Sequence, residues 1–267
     1  MNNLHRELAP ISDVAWAAIE AEARRTFIRN LAGRRVVDVV GPAGPTLSAV
    51  GTGHMRRLEV ASAGVIVQER QSQPVIELRA PFRVSRQAVD DVERGAQDSD
   101  WQAVKDAATQ IALAEDHAVF NGCAAAGIPG IVPTSSNPAL PLPSDIRHLP
   151  DTIARGLSAL RLAGVDGPYS LLLSAQAWTA VAETTDHGHP VRGHLARLLD
   201  DGEILWAPAL EGGLLVSTRG GDYQLHLGQE LSIGYLSHDA EQIQLYLQES
   251  LSFLPLTAES GVPLTVA

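Results

Sequence analysis

Residues 242–254 read QIQLYLQESLSFL, an alternation of apolar and polar side chains. Side chains alternate between the two faces of a strand, so this segment predicts a long β-strand with one apolar face. The apolar face holds Ile243, Leu245, Leu247, Leu251 and Phe253, and the polar face holds Gln242, Gln244, Gln248, Ser250 and Ser252. Any fold of this chain must pair this strand and cover its apolar face.

Two segments have helical periodicity instead. In residues 12–33 an apolar stripe runs from Trp16 to Leu31, Ser12 is a suitable N-cap, and Gly33 ends the pattern. In residues 102–121 the apolar face is mostly alanine: Val104, Ala107, Ala108, Ile111, Ala114 and Ala118. Small side chains on a helix face indicate that another element packs close against it.

Several shorter patterns complete the two ends of the chain. Residues 34–40, RRVVDVV, are rich in β-branched side chains and predict a strand. Residues 49–73 combine Gly, Ser and charged residues with short apolar pairs, which suggests a long hairpin-like excursion, and residues 75–84 predict a clear strand. Two further strands are expected around a glycine-containing turn in residues 220–235.

The middle of the chain has a different character. Residues 127–150 are rich in proline and predict a connection rather than an element. After it, helices are predicted at 151–163, 175–183 and 191–199, and strands at 169–173, 203–206 and 213–218. The expected organisation is α+β, with a compact segment at about 135–225 inserted into a layer built from both ends of the chain.

Composition excludes some classes of function. The chain has 267 residues, 45% of them hydrophobic, and a formal charge of -11, which gives no electrostatic footprint for nucleic acid. Its one cysteine, Cys123, lies among small residues and is expected to be a packed side chain. The sequence shows no signal peptide and no apolar run long enough to span a bilayer, so we expect a cytoplasmic protein without a membrane partner.

Tests for enzyme chemistry find little. No phosphate-binding glycine motif, HExxH, CxxC or GxSxG motif is present. The stretch TTDHGHPVRGH holds Asp186, His187, His189 and His194, which allows two interpretations, a metal site or an exposed loop between two helices. A second charged cluster, residues 90–94, is read as helix-start acids and local ion pairs rather than as an acid–base pair.

Six blocks of sequence carry a family resemblance. They are NLHRELAP (3–10), AGRRVVDVVGP (32–42), DVERG with DSDW (91–101), GVDGPYSLLLS (164–174), TRGGDYQLHLGQELSIGY (218–235) and LYLQESLSFL (245–254). In this order and at these spacings they resemble the encapsulins, the linocin-like shell proteins of bacterial nanocompartments, most closely the actinobacterial members. The resemblance extends from residue 4 to about residue 260.

The resemblance implies an HK97 phage-capsid-like fold with a P-domain, an E-loop and an A-domain. The implied division, in chain order, is 1–48 for the N-terminal helix and the start of the P-domain, 49–73 for the E-loop, 74–134 for the P-domain with its spine helix, 135–225 for the A-domain, and 226–267 for a C-terminal return to the P-domain. The alanine-lined helix at 102–121 would be the spine helix.

It also implies two sites. Encapsulins of this kind bind a short C-terminal peptide of a cargo enzyme on the inner wall, and the matching positions are Phe27, Arg34, Asp38, Ile233, Gly234 and Tyr235. The loop Asp186, His187, Gly188 and His189 matches a loop that lines a pore at the five-fold axis, where a ring of histidines would titrate near neutral pH. Some relatives bind flavin through an aromatic residue before DVERG, but VSRQAVDD has none, so no cofactor and no metal are expected.

The function that follows from the resemblance is structural rather than enzymatic. Many copies, on the order of 60 or more, would close an icosahedral shell around a cargo enzyme. A dye-decolourising peroxidase is the favoured cargo, and a ferritin-like iron-oxidising protein is the other. Two alternatives remain at this point, a prophage capsid protein, disfavoured because no leader precedes the first helix, and a small serine hydrolase or protease using the DHGHP histidines.

Overall fold

The computed structural model describes residues 3–59, 64–199 and 201–266. Its helices are α1 (Asp13–Asn30), α2 (Arg86–Glu93), α3 (Gln102–Phe120), α4 (Ile131–Thr134), α5 (Leu149–Leu162), α6 (Ala175–Glu183) and α7 (Val191–Leu198).

The strands divide at the long helix α3. Before it are β1 (Asp38–Val40), β2 (Ala49–Leu58), β3 (Val67–Pro74) and β4 (Ile76–Ser85). After it are β5 (Gly122–Cys123), β6 (Ile128–Pro129), β7 (Leu140–Pro141), β8 (Tyr169–Leu173), β9 (Thr185–Asp186), β10 (His189–Pro190), β11 (Ile204–Trp206), β12 (Gly213–Ser217), β13 (Tyr223–Leu227), β14 (Ser232–His238), β15 (Gln242–Pro255) and β16 (Gly261–Thr265).

The first sheet is organised around β15. This strand pairs antiparallel with β4 along one edge, from Gln242 opposite Ser85 to Leu251 opposite Ile76. Along its other edge it pairs with β13 and then with β14, and β1 adds in parallel to β13. The predicted long alternating strand is therefore confirmed, and it joins segments from both ends of the chain in one sheet.

The two long helices cover this sheet. Ile19 and Phe27 of α1 and Ile111 of α3 are almost fully buried against Leu245 and Leu247 of β15 in one apolar cluster. Ala107, Ala108 and Ala112 of α3 lie in the same cluster, whereas Ala118 packs in a second cluster and Ala114 is exposed. The close packing that the alanine pattern predicted is confirmed, and its partner is α1.

A second sheet contains the middle segment. Its order is β11-β8-β12-β16-β7, with the fully buried β8 paired to β11 in parallel and to β12 in antiparallel. Helices α5, α6 and α7 supply apolar side chains to the core of this sheet. Its strand β16 comes from the C-terminal segment, so residues 261–265 pair beside the middle segment rather than in the first sheet.

Strands β2 and β3 form a separate two-stranded hairpin. Most of its side chains are exposed, and residues 60–63 of the predicted excursion at 49–73 lie outside the described residues. The hairpin itself is confirmed. An isolated two-stranded hairpin is at best marginally stable in water, so this one needs support beyond its own contacts.

Three predictions were wrong in whole or in part. The proline-rich segment 127–150 is not only a connection, since it contains β6, α4 and β7, and β7 pairs with β16 at the edge of the second sheet.

Of the strand predicted at 34–40, the last three residues are confirmed as β1, whereas a 3-10 turn over Gly33–Arg35 precedes them. The turn forms because buried acids from elsewhere in the fold bind the amides of Ala32 and Gly33 and the side chain of Arg34. The acids at 90–94 do not start α3 but lie in the second half of α2, a separate helix that Ser85 caps. The ion pair between Arg94 and Asp91 is local, as predicted.

Replacing Leu245 by alanine tests the central role of β15. Leu245 has no exposed surface, so the change should leave a cavity and lower the free energy of unfolding by roughly 2–5 kcal/mol. The matched control is Leu256→Ala just beyond the strand, where the side chain is 54% exposed and the effect should stay within about 0.5 kcal/mol. Thermal unfolding measures both, and equal shifts for the two variants would contradict the assignment of β15 to the core.

Candidate functional site

A groove of about 420 Å³ lies between α1 and the beginning of β14. Its lining residues are Leu4, Arg6, Glu20, Ala23, Arg24, Phe27, Ile28, Arg34, Glu230, Leu231, Ser232 and Ile233. Apolar side chains thus alternate with charges of both signs, a composition suited to an extended peptide with apolar anchors rather than to catalysis.

Helix α1 provides one wall of the groove. Ser12 caps the helix by accepting a hydrogen bond from the Ala15 amide at 3.2 Å. Phe27 faces inward and is 2% exposed, whereas its neighbour Ile28 is 57% exposed at the rim. An exposed isoleucine beside a buried phenylalanine gives the groove apolar surface that nothing in the described chain covers.

Strand β14 provides the opposite wall, and its outer edge carries the N-terminal segment. The Tyr235 amide donates to the carbonyl of Leu4 at 2.8 Å, and the Tyr246 hydroxyl donates to the carbonyl of Asn3 at 3.2 Å. Gly234 lies directly over the Tyr246 ring, and a Cβ there would come within 2.0 Å of a ring atom. Only glycine lets β14 pass the tyrosine at this point.

Arg34 is the electrostatic centre of the groove. Its Nε and Nη2 donate to the two carboxylate oxygens of Glu115 at 2.7 and 2.6 Å, a bidentate pair. Its Nη1 donates to Glu230 at 2.7 Å, and its Nη2 also lies 3.3 Å from Glu249. The guanidinium carbon is 5.1 Å from the centroid of the Phe27 ring, within the range of a cation–π contact.

The carboxylates behind Arg34 are deeply buried. Glu115, Asp116 and Glu249 have no exposed surface, and Oε1 of Glu249 has no hydrogen-bond partner among the described residues. Burial raises the pKa of Glu249 well above its usual range, and the neighbouring Glu115 raises it further. Burial also raises the pKa of Asp116 to about 7, against the opposing effect of the hydrogen bonds from the Ala32 and Gly33 amides.

The pKa of Arg34 responds to the same surroundings. Burial lowers it, but the hydrogen bonds with Glu115 and Glu230 and their charges outweigh burial, so the net pKa lies above its usual value. The guanidinium therefore stays charged. It is the one cation within 4 Å of the Glu115 and Glu249 carboxylates in the part of the chain that the structure describes.

The structure brings together three of the residues expected at a peptide site. Phe27, Arg34 and Ile233 line the groove. Gly234 and Tyr235 continue β14 beyond it, and the Tyr235 hydroxyl lies 2.6 Å from Nδ1 of His238. Asp38 is not among the lining residues and instead accepts a hydrogen bond from the Gly221 amide at 2.6 Å.

Sequence reasoning missed the acids around Arg34. Glu115 and Glu230 bind it directly, and Glu249 lies behind it. One signal was available, because Glu249 stands between Leu247 and Leu251 on the apolar face of the alternating segment. A charge at such a position indicates a buried partner.

The histidine stretch forms a tight turn. Strands β9 and β10 make a minimal hairpin, with His187 and Gly188 both at positive φ in the connection. The His187 side chain is 94% exposed, and its Nε2 lies 3.8 Å from Asp186. His189 and His194 pack edge to face, 6.1 Å between ring centroids. The structure thus places an exposed turn between α6 and α7.

Metal binding and membrane insertion find no support in the described residues. Residues 3–59, 64–199 and 201–266 contain no group of three histidine, cysteine or acidic side chains arranged to hold a metal ion. Within the same ranges no helix combines the length and the apolar character that a membrane crossing requires.

The fold defines the class of protein. A virus-like particle protein from Pyrococcus furiosus superposes with a TM-score of 0.67, covering 92% of this chain and 98% of that chain at 13% sequence identity. The capsid of Myoviridae phage XM1 superposes with a TM-score of 0.57, covering 87% and 90% at 12% identity. At these identities the likeness shows the fold alone, which is that of the HK97-like capsid proteins.

The sequence identifies the family within that class. Residues 1–252 match the Linocin_M18 family, described as an encapsulating protein for peroxidase. The type 1 encapsulin shell protein of Brevibacterium linens is 63% identical over 266 residues, which cover 100% of both chains. The chain belongs to the type 1 encapsulin shell proteins. The relative from Rhodococcus erythropolis, also a type 1 encapsulin shell protein, is 63% identical over 264 residues, which cover 99% of this chain and 100% of that protein.

Replacing Arg34 by methionine tests the buried network. The change leaves Glu115 and Glu249 without their cation, so the free energy of unfolding should fall by about 3–5 kcal/mol. The neighbouring Arg35→Met is the matched control, because Arg35 pairs with Glu203 at the surface, where a pair contributes about 0–1 kcal/mol. Similar thermal stability of the two variants would mean that the network contributes nothing to the fold.

Proposed function

We propose that this chain is the self-assembling subunit of an icosahedral shell, and that the groove between α1 and β14 holds a C-terminal peptide of an enclosed cargo enzyme. The subunit itself catalyses nothing. Its work is to assemble, to retain cargo and to let small solutes pass. The groove is the observation that carries the cargo part of the proposal.

The chemistry of the groove supports a peptide as its occupant. Phe27, Ile28 and Ile233 offer apolar contacts in a row, and Arg34 and Glu230 offer one charge of each sign beside them. A short extended segment with apolar side chains and a few polar groups matches this arrangement. The groove reaches the surface at Ile28, whose side chain is exposed, so a flexible terminus of a folded protein can reach it.

The exposed hairpin of β2 and β3 supports assembly. Met55 and Ile66 are 56% and 66% exposed, and the hairpin has almost no core of its own. A neighbouring subunit that packs against it would bury this apolar surface and stabilise the strands. The family resemblance gives the same segment the role of an E-loop between subunits.

A peroxidase is the favoured cargo, and a ferritin-like protein is the second candidate. The family to which the chain belongs is described as encapsulating peroxidase, which supports the first choice. The groove is compatible with either, because it would bind the appended peptide and not the folded enzyme.

The first experiment is size-exclusion chromatography with light scattering on the native protein, followed by mass spectrometry of co-eluting proteins. A uniform megadalton particle carrying a peroxidase or ferritin-like protein is the expected result. A small oligomer under all conditions of salt and pH would contradict the shell. An empty particle would contradict cargo retention while leaving the shell in place.

The groove is tested in the same preparation with Ile28→Glu. Ile28 is exposed at the rim, so the subunit should fold and assemble while a charge in the apolar contact strongly lowers the amount of cargo that co-purifies. Leu162→Glu on α5 is the matched control, because Leu162 is 87% exposed and lies outside the groove. Equal cargo loading in both variants would count against the groove as the docking site.

The turn at Asp186, His187, Gly188 and His189 is proposed to line the pore at the five-fold axis. The exposure of His187 supports this role, since a ring of five such side chains could tune the passage of charged solutes. Cryo-electron microscopy of the particle should place these turns around the five-fold axis. His187 and His189 far from every symmetry axis would exclude the pore.

A further inference from the structure

The groove wall and a buried acidic cluster share one side chain, and this connection carries a further inference. Arg34 faces the groove through its contacts with Phe27 and Glu230, and it faces the protein interior through Glu115 and Glu249. A change in the charge of Glu115 or Glu249 therefore changes the electrostatic force on Arg34 in the groove wall.

The interior acids cannot all be ionised at low cost. Glu115 and Glu249 are both without exposed surface, and an oxygen of each lies against the same Nη2 of Arg34, at 2.6 and 3.3 Å. Two carboxylates in contact repel strongly in a medium of low dielectric constant, and one bidentate guanidinium balances only one of them. A pair of this kind is stabilised when it keeps one proton between its two carboxyl groups.

The hydrogen bonds give independent support. Oε1 of Glu249 has no partner among the described residues, although it is fully buried. Ionised carboxylates only accept hydrogen bonds, so two of them in contact cannot satisfy each other. A proton on the pair turns one carboxyl into a donor and supplies a bond that the ionised pair lacks.

Three charged groups face this pair, each from a different part of the fold. Asp116 lies beside Glu115 on α3, Arg34 follows α1, and Glu230 precedes β14. Asp116 accepts hydrogen bonds from the Ala32 and Gly33 amides at 2.8 Å each, so it fixes the backbone that carries Arg34. Arg34 is the cation among these groups, and all the others are acids.

Loss of the proton would redirect Arg34. The pair would then carry two charges in the interior, whereas Glu230 is 46% exposed and solvated. Because a charge in the interior interacts more strongly than one near water, the guanidinium would turn from Glu230 towards both buried carboxylates. The groove wall would lose its cation beside Phe27 and keep Glu230 as an unpaired anion.

We propose that Glu115 and Glu249 share one proton, that this proton keeps Arg34 in the groove wall, and that peptide binding in the groove weakens as the pH rises. The inference rests on the proposed function, since it describes the regulation of the same groove. The sign follows from the raised pKa of Glu249, because the protonated form is present below that pKa and is lost above it. Glu115 and Glu249 act here as positioning residues for Arg34.

The shared proton is tested first on the assembled particle without any peptide. Infrared difference spectroscopy across a pH titration should show the carbonyl stretch of a protonated, buried carboxyl group at neutral pH. The band should disappear in Glu249→Gln, which keeps the shape of the side chain, and persist in the control Glu203→Gln at the surface. Glu115→Gln removes the other member of the pair and serves if Glu249→Gln does not assemble. Asp116, whose pKa burial raises to about 7, can add a band of its own, which Asp116→Asn would identify. If the unchanged protein has no other such band, or if that other band survives both substitutions in the pair, the proposal is overturned.

Peptide binding is tested next by fluorescence anisotropy, with a labelled synthetic peptide that carries the C-terminal residues of the co-purifying protein. If peptide binding requires one proton on the pair, the affinity for the peptide should fall at pH values above the pKa of the pair. The fall should be up to about tenfold per pH unit. Glu249→Gln should bind with little pH dependence. The control Glu203→Gln, whose side chain is 56% exposed and lies outside the groove, should keep the pH dependence of the unchanged protein. Equal pH dependence in the unchanged protein and in Glu249→Gln would refute the link. A peptide that binds at no pH would refute docking in the groove, while the infrared result still decides the shared proton.

Discussion

The pairing of β15 along both of its edges is the constraint on which the first sheet depends. The strand has 14 residues, and β4 accompanies it on one side while β13 and β14 divide the other side between them. The sequence between β4 and β13 includes α3 and most of the second sheet. Within the described residues, β4 is therefore joined to β13 and β14 only through β15. Helices α1 and α3 cover the apolar face of β15.

The same strand places a charge where the fold would otherwise be apolar. Glu249 points with Leu247 and Leu251 towards the helices, and Glu115 meets it from α3. Burying this pair costs free energy that an apolar pair would not. Glu115 and Glu249 hold the Arg34 side chain in one orientation by accepting its hydrogen bonds. Asp116 holds the turn before Arg34 by accepting a hydrogen bond from the Ala32 amide. The groove is thus shaped from beneath by groups that never reach its surface.

Local patterns predicted the elements whose structure is decided locally. The strand at 169–173 and the helix at 175–183 have the predicted bounds, because a continuous apolar run and a Ser174 cap determine them. The segment 34–40 reads as a strand, yet its first residues form a turn held by Asp116 and Glu115, which lie more than eighty positions along the chain. No local pattern contains that information. For the same reason Phe27 and Ile233 were predicted at the groove through family resemblance, whereas the acids behind Arg34 appeared only with the fold.

The groove and the β2–β3 hairpin are physically independent. The groove is lined by the N-terminal segment, α1, Arg34 and the residues at the start of β14, and none of its lining residues belongs to the hairpin. A neighbouring subunit that covered the hairpin would therefore make contacts that are separate from those of a peptide in the groove. Since distant sites without shared partners contribute additively, assembly and occupancy of the groove can vary separately. If the groove is the docking site proposed above, a shell of such subunits could close with its grooves empty, and the groove and the acids that hold Arg34 would decide whether a cargo is retained.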